Sequence, residues 1–425
     1  MISEDFLQYL WKFKLFNAPL LTTDGEEVQI IKSGEHNHDS GPDFFNAEIK
    51  IGKTVWAGNV EIHIDSSGWT EHRHEQDDAY RNIILHGVFQ SSRKDFVQNG
   101  IRIPEVEFKN RFNPMLWNTF EYLKKSKDKI PCGSLIHRAD RITISTWLER
   151  MLVGRLENKI SVFDNLLHQN KNDWSETFYQ ALSRNFGFRL NTVPFELLAK
   201  SLPSKILARQ KSQIIQIEAL LYGQAGLLER NFRDDYPIQL KREYAFLKNK
   251  FNLMPIEKHL WKFAKTRPVN FPTIRIAQFA MLIFKSSHLL TNILETKNIS
   301  DIIRLFKVHA SGYWNNHFRF DAKGPESEKH LGKSSIENIL INTVAPLLFL
   351  YGKEKNEDYI INRSLQILEQ LPPESNHIVR AWEQTGVVAK NAYETQALIE
   401  LKNNYCNQKK CLQCAIGMKI LSRTN

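Results

Sequence analysis

The spacing of apolar residues changes character partway along this 425-residue chain, and that change limits the folds open to it. The first part carries short β-rich blocks, whereas beyond residue 140 the apolar positions recur at helical spacing. An α+β protein is therefore expected, with its sheet confined to the N-terminal part. Ser3 is placed to cap an opening helix whose Phe6, Leu7, Leu10, Trp11 and Leu15 share one face. The segments EEVQIIKSG, PDFFNAEIKIG, TVWAGNVEIHI, NIILHGVF and IRIPEVEFK read as strands, the second and third joined by a turn at Gly52 and Lys53. Segments such as ISTWLERMLVGRLENKISVFDNLL and IENILINTVAPLLFLYG read as helices. The expected organisation is a metal-binding domain over residues 1–130 and a helical, basic domain with a C-terminal cysteine cluster over residues 131–425.

Composition narrows the class. With 42% hydrophobic and 24% charged residues the chain can bury a core. The opening MISEDFLQYLWKF is acidic where a signal peptide is basic, and the longest uninterrupted apolar runs are short of a membrane span. A cytoplasmic protein with no membrane partner is expected. The net charge of +10 conceals an asymmetry: residues 1–100 carry 9 Lys and Arg against 16 Asp and Glu, net −7. The remaining 48 basic against 31 acidic residues give net +17. An acidic lobe joined to a basic remainder suggests a cation site on one part and a nucleic-acid surface on the other. The oligomeric state is not legible.

The acidic lobe also holds six of the 14 histidines, and its hairpin contains unusual polar residues. Side chains alternate along a strand, so Glu61 and His63 share one face while Val60, Ile62 and Ile64 take the other. Asp43 opens the preceding strand after Gly41 and Pro42. Two carboxylates meeting at a strand pair suit a hard divalent cation, Mg²⁺ or Mn²⁺, bound through oxygen. His63, His72, His74 and His86 can reach the same mouth as further ligands, or the last three can form a separate zinc site.

These residues carry a resemblance. A helix, a strand, GPD at the next strand and VEIH on a third resemble the PD-(D/E)XK nuclease core, over about a hundred residues. The resemblance implies metal ligation by Asp43 and Glu61 and hydrolysis of phosphodiester bonds in DNA or RNA. It departs where His63 stands in place of the family's lysine, so His63 is expected as ligand or general base, with Lys50 as the alternative cation. The whole chain also resembles a bacterial family catalogued as domain of unknown function 2851, on GPDF, GNVEIHI, SSGWTEHRHEQDDAYRNIILH, RPVNFPTIRIAQ and YCNQKKCLQCAIG.

In the basic part, Arg267 and Arg275 lie among aromatics in TRPVNFPTIRIAQ and are candidates for nucleic-acid contact. Cys406, Cys411 and Cys414 follow a C-x4-C-x2-C spacing, and Cys132 completes four. Such a set suits tetrahedral thiolate coordination, as of zinc, and the resemblance to PD-(D/E)XK nucleases, some of which carry one early and three C-terminal cysteines, implies an iron–sulfur cluster as the alternative. The leading expectation is a divalent-metal-dependent nuclease. A catalytically inactive nucleic-acid-binding or scaffold protein and a zinc hydrolase of a small substrate are the alternatives.

Overall fold

The computed structural model describes residues 2–423 apart from 18, 38, 73, 75, 76, 93–95, 99, 100 and 287. It is α+β, with a mixed sheet near the N-terminus and a large helical remainder. The chain divides into two compact units, but not at a single point near residue 130. One comprises Met1–Arg150, Asn376–Val388 and Leu398–Asn425; the other comprises Met151–Ser375 and Ala389–Ala397. The C-terminal cysteines thus belong with the sheet and not with the helical unit, because the chain returns to its first unit at the end.

In the first unit, α1 (Glu4–Lys12) buries Phe6, Leu7, Leu10 and Trp11 as its periodicity requires. Ser3 occupies the capping position, yet its carbonyl, not its hydroxyl, accepts the Phe6 and Leu7 N–H groups. The strands are β1 (Leu20–Leu21), β2 (Glu27–Lys32), β3 (Glu35–His36), β4 (Phe44–Ile51), β5 (Thr54–Asp65), β6 (Ile83–Gln90), β7 (Val97–Gln98), β8 (Ile101–Arg102) and β9 (Glu105–Glu107). The main sheet runs β1-β2-β4-β5-β6-β9, with β3 added against β4. Pairing is antiparallel as far as β5 and parallel from β5 to β6 and β9. A bridge between Thr22 and Val106 brings the two ends of the sheet together, so the sheet curls.

Two local features set the register of the hairpin. Ile51 pairs with Thr54 across a two-residue turn, and Gly52 supplies the positive φ of 55° that the turn needs. At the other end, Phe44 pairs with Val60 but Ala47 with Gly58, so β4 holds one extra residue, and Asn46 there has φ 55°. The bulge swings the start of β4 so that Asp43 comes opposite Glu61.

Beyond β5, the short helix α2 (Gly68–Glu71) covers the polar face of that strand. Trp69 from this helix is buried with Tyr80, Ile83, Phe96 and Ile103. Glu61 and His63 are consequently 5% and 2% exposed, so β5 is buried on both faces at its centre.

The second unit is helical. Its most buried helix, Pro272–Lys285, is enclosed from Pro272 to Leu282. The continuous helix Lys333–Lys355 is long and apolar enough to cross a membrane, unlike the short runs expected, and 78% of an apolar 18-residue window within it is buried inside the protein. A π-helical turn at Leu340–Val344 carries it through this core position.

Candidate metal centre

Parallel pairing places Glu61 of β5 beside His86 of β6, and His86 beside Glu105 of β9. Three buried polar side chains therefore stand abreast on one face. His63 lies two residues further along β5, and α2 with the turn after it delivers His72 and His74 above that face.

His63 Nε2 lies 3.2 Å from His72 Nδ1, 3.3 Å from His74 Nε2 and 3.6 Å from Glu61 Oε1. Glu61 Oε1 is also 3.5 Å from His74 Nε2. A ring nitrogen offers one proton or one lone pair, so it cannot satisfy three polar neighbours by hydrogen bonding. A cation between them can. Donors about 2.1 Å from a tetrahedral ion stand about 3.4 Å apart, which matches these spacings. His63, His72 and His74 bring one donor atom each within 4.8 Å of one another.

The rings are held from behind. His63 Nδ1 lies 2.9 Å from His86 Nε2, and His86 Nδ1 lies 3.2 Å from Glu105 Oε2 without an aligned hydrogen bond. Glu105 Oε1 accepts hydrogen bonds from Ser66 and Ser91. Its negative charge favours a proton on His86 Nδ1, so His86 Nε2 accepts from His63 Nδ1–H. The lone pair of His63 Nε2 is then free to face the other imidazoles. Tyr80 stacks on His74 with ring centres 3.9 Å apart, and Trp69 packs on both His74 and His86. His72 is exposed and marks the side open to solvent.

Burial and the surrounding rings of His86, His74 and His72 hold His63 down at about 2, so it stays neutral, the form in which imidazole binds metal. Burial, then the charge of Asp43, pushes Glu61 up to about 9. Burial raises Asp43 to about 6 against the opposing pull of its hydrogen bonds. Two acids pressed together without a counter-charge carry such shifts, and a cation beside them would reverse both.

The expected residues are not all where the sequence suggested. Asp43 and Glu61 do meet, through Asp43 N–H donating to Glu61 Oε2 and Ile62 N–H donating to Asp43 Oδ2, each at 3.0 Å. Gln8 takes the other Asp43 oxygen, so Asp43 positions the strand pair and Gln8 rather than offering a free carboxylate. His86 stands behind the triad, contacting His63, and is not one of its three members. Lys50 is exposed near the far end of β4, paired with Val55, roughly 20 Å along the strand from Asp43. It is too distant to act there. Arg275 is buried, its guanidinium bonded to Gln278, Asn270 and Ser335, so it is unavailable to a phosphate; Arg267 is exposed.

Cys132, Cys406, Cys411 and Cys414 are all free and buried. Burial, with Cys414 and Cys411 nearby, pushes the Cys132 thiol up to about 12.

Sequence reasoning missed Glu105, Gln8 and Gly68. Glu105 sits between the apolar Ile103 and Val106 on a short strand, a placement that signals a buried acid. The need for Gly68 comes from the His63 ring, which a Cβ at position 68 would meet at 2.8 Å, and this is invisible without the fold.

Fold and site together define an α+β protein with a histidine triad, buried at His63 and His74 and open to solvent at His72, flanked by a glutamate. The chain belongs to the family described as protein of unknown function, DUF2851, whose model matches residues 4–377. No curated protein and no solved structure matches the chain.

Proposed function

We propose that this chain is a metal-dependent hydrolase that cuts phosphodiester bonds of DNA or RNA, with the ion held by His63, His72 and His74. The observation that carries the reading is the triad itself, three donor atoms within 4.8 Å of one another with Glu61 Oε1 beside two of them. Three imidazoles leave a coordination position for water, the arrangement of a catalytic rather than a closed structural site. A nitrogen-rich set suits Zn²⁺ or Mn²⁺ better than the Mg²⁺ expected from two carboxylates. Such an ion lowers the pKa of bound water and offsets charge on a phosphoryl group. Glu61 accepts the proton that the attacking water gives up, and Asp43 N–H, bonded to Glu61 Oε2, holds the acceptor in place.

The choice of a phosphodiester is supported by three features. The order α1, antiparallel β2, β4 and β5, helix α2, then parallel β6 is compatible with the order that the PD-(D/E)XK resemblance implies. Pro42-Asp43 and Glu61 fall on the strand pair where that core holds its ions. The excess of basic residues after position 100 suits a polyanion. In this reading His63 is a metal ligand and no stand-in for lysine.

The test uses the full chain stripped with chelator and reloaded with Zn²⁺, Mn²⁺ or Mg²⁺, then incubated with single-stranded DNA, duplex DNA and RNA. Glu61→Gln is expected to keep the metal and lose cleavage, and His63→Ala to lose both. Binding without cleavage under every metal, or cleavage undiminished in His63→Ala, overturns the proposal.

A further inference from the structure

The four cysteines form a second centre, apart from the histidines. They are all the cysteines the chain has, none is in a disulfide, and each is 7 or 8% exposed. Sequence separates Cys132 from the other three by more than half the chain, yet the fold gathers all four in one compact unit. Cys406 interacts electrostatically with Cys132, Cys411 and Cys414, and Cys132 with Cys411 and Cys414.

The surroundings point to a ligand bound through sulfur. Cys414 precedes the helix Ala415–Ser422, and its sulfur takes the N–H groups of Ile416 and Gly417. Trp147, 6% exposed, lies beside the same sulfur with its indole N–H otherwise unpartnered. Donors aimed at a sulfur stabilise a thiolate and tune what it binds. Gly417 permits the close approach, since a Cβ there would meet the Cys411 carbonyl oxygen at 2.3 Å. Lys419 and Arg423 reach Asp140 and fasten the same helix beside the segment that carries Trp147.

Four thiolates are the donor set of a structural zinc ion and equally of an iron–sulfur cluster. We propose that Cys132, Cys406, Cys411 and Cys414 hold a metal centre through four thiolates, and that it clasps the C-terminal segment to the sheet-bearing unit. Each thiol gives up its proton as it ligates, and the metal, with inorganic sulfide where the occupant is a cluster, is supplied from outside the chain.

The full chain, purified without oxygen, is analysed for iron, acid-labile sulfide and zinc, with visible absorption before and after reduction. Metal retained by His63→Ala is expected, so this centre stands or falls separately from the histidine site; one zinc per chain without sulfide, or iron and sulfide in comparable amounts with broad visible absorption that bleaches on reduction, identifies the occupant. Cys132→Ser and Cys411→Ser, each made in the His63→Ala background, are expected to lose that metal. The composition of His63→Ala decides the question even where a cysteine variant does not fold. No metal in His63→Ala, both as purified and after incubation with Zn²⁺ or with ferrous iron and sulfide under reducing conditions, overturns the proposal.

Discussion

His63 and His86 meet ring to ring, Nδ1 to Nε2 at 2.9 Å, with Glu105 on the far side of His86. This contact fixes which nitrogen of His63 faces His72 and His74. Glu105→Gln removes the charge that favours the proton on His86 Nδ1 while nearly preserving shape. Zn²⁺ affinity, measured by competition with a chromogenic chelator, is expected to fall about 10- to 100-fold. Unchanged affinity would mean that His63 presents its Nε2 lone pair without help from behind.

Gly68 lies against the same ring from the other side. A methyl group at position 68 would sit 2.8 Å from His63 Cγ and Cδ2, closer than carbon atoms tolerate, and the ring is confined by three other histidines. Gly68→Ala is expected to reduce Zn²⁺ affinity at least as much as Glu105→Gln. Gly154→Ala is the contrasting case, because nothing lies within 4 Å of that Cβ in the helix Arg141–Gln169. Thermal unfolding is expected to show a gain of about 0.5–1 kcal/mol there.

These two sides of His63 mark what the sequence could and could not disclose. Alternation along VEIHI put Glu61 and His63 on one face, and the fold keeps them there. The density of histidines pointed to one shared site, and His72 and His74 join His63. What alternation cannot say is which strand lies next to β5 and in which direction. Parallel pairing with β6 makes His86 the neighbour of Glu61 and recruits Glu105 from β9, and both depend on long-range register. The same gap explains Arg275: its aromatic surroundings suggested nucleic-acid contact, while helical periodicity in a helix buried almost all round carries no outward face to read. The domain boundary was hidden because no local signal announces that a chain will return to its first unit.

Glu218, in the buried helix Ile214–Gln224, yields a prediction about pH. Burial pushes its carboxyl from 4.5 up to about 7, against weaker hydrogen bonding from Ser311 and Tyr236. Below about pH 4.5 the group is neutral whether the chain is folded or unfolded, so it imposes no cost. Between about 4.5 and 7 the folded form holds the proton and the unfolded form does not, so stability falls as pH rises; above 7 the full cost remains. That cost is roughly 3 kcal/mol. Glu218→Gln is expected to raise the thermal midpoint at pH 8 and to leave it nearly unchanged at pH 4, and equal shifts at both would refute the assignment.

Arg275 and Arg267 separate support of the fold from contact with a polyanion. The Arg275 guanidinium donates to Gln278 and Ser335 at 3.0 Å and to Asn270 at 2.6 Å, and it lies over the Phe188 ring. Burial lowers its pKa only to about 10, so it remains charged at neutral pH. Arg275→Ala strands these acceptors at a cost of about 1–3 kcal/mol for each one left dry, and the thermal midpoint is expected to drop sharply. Arg267 is exposed, and Arg267→Ala is expected to shift stability by less than about 0.5 kcal/mol. If Arg267 contacts a phosphate, its removal lowers the salt dependence of DNA binding by about one counterion. Titrations at several salt concentrations measure that slope, and a slope identical to wild type would place the polyanion surface elsewhere.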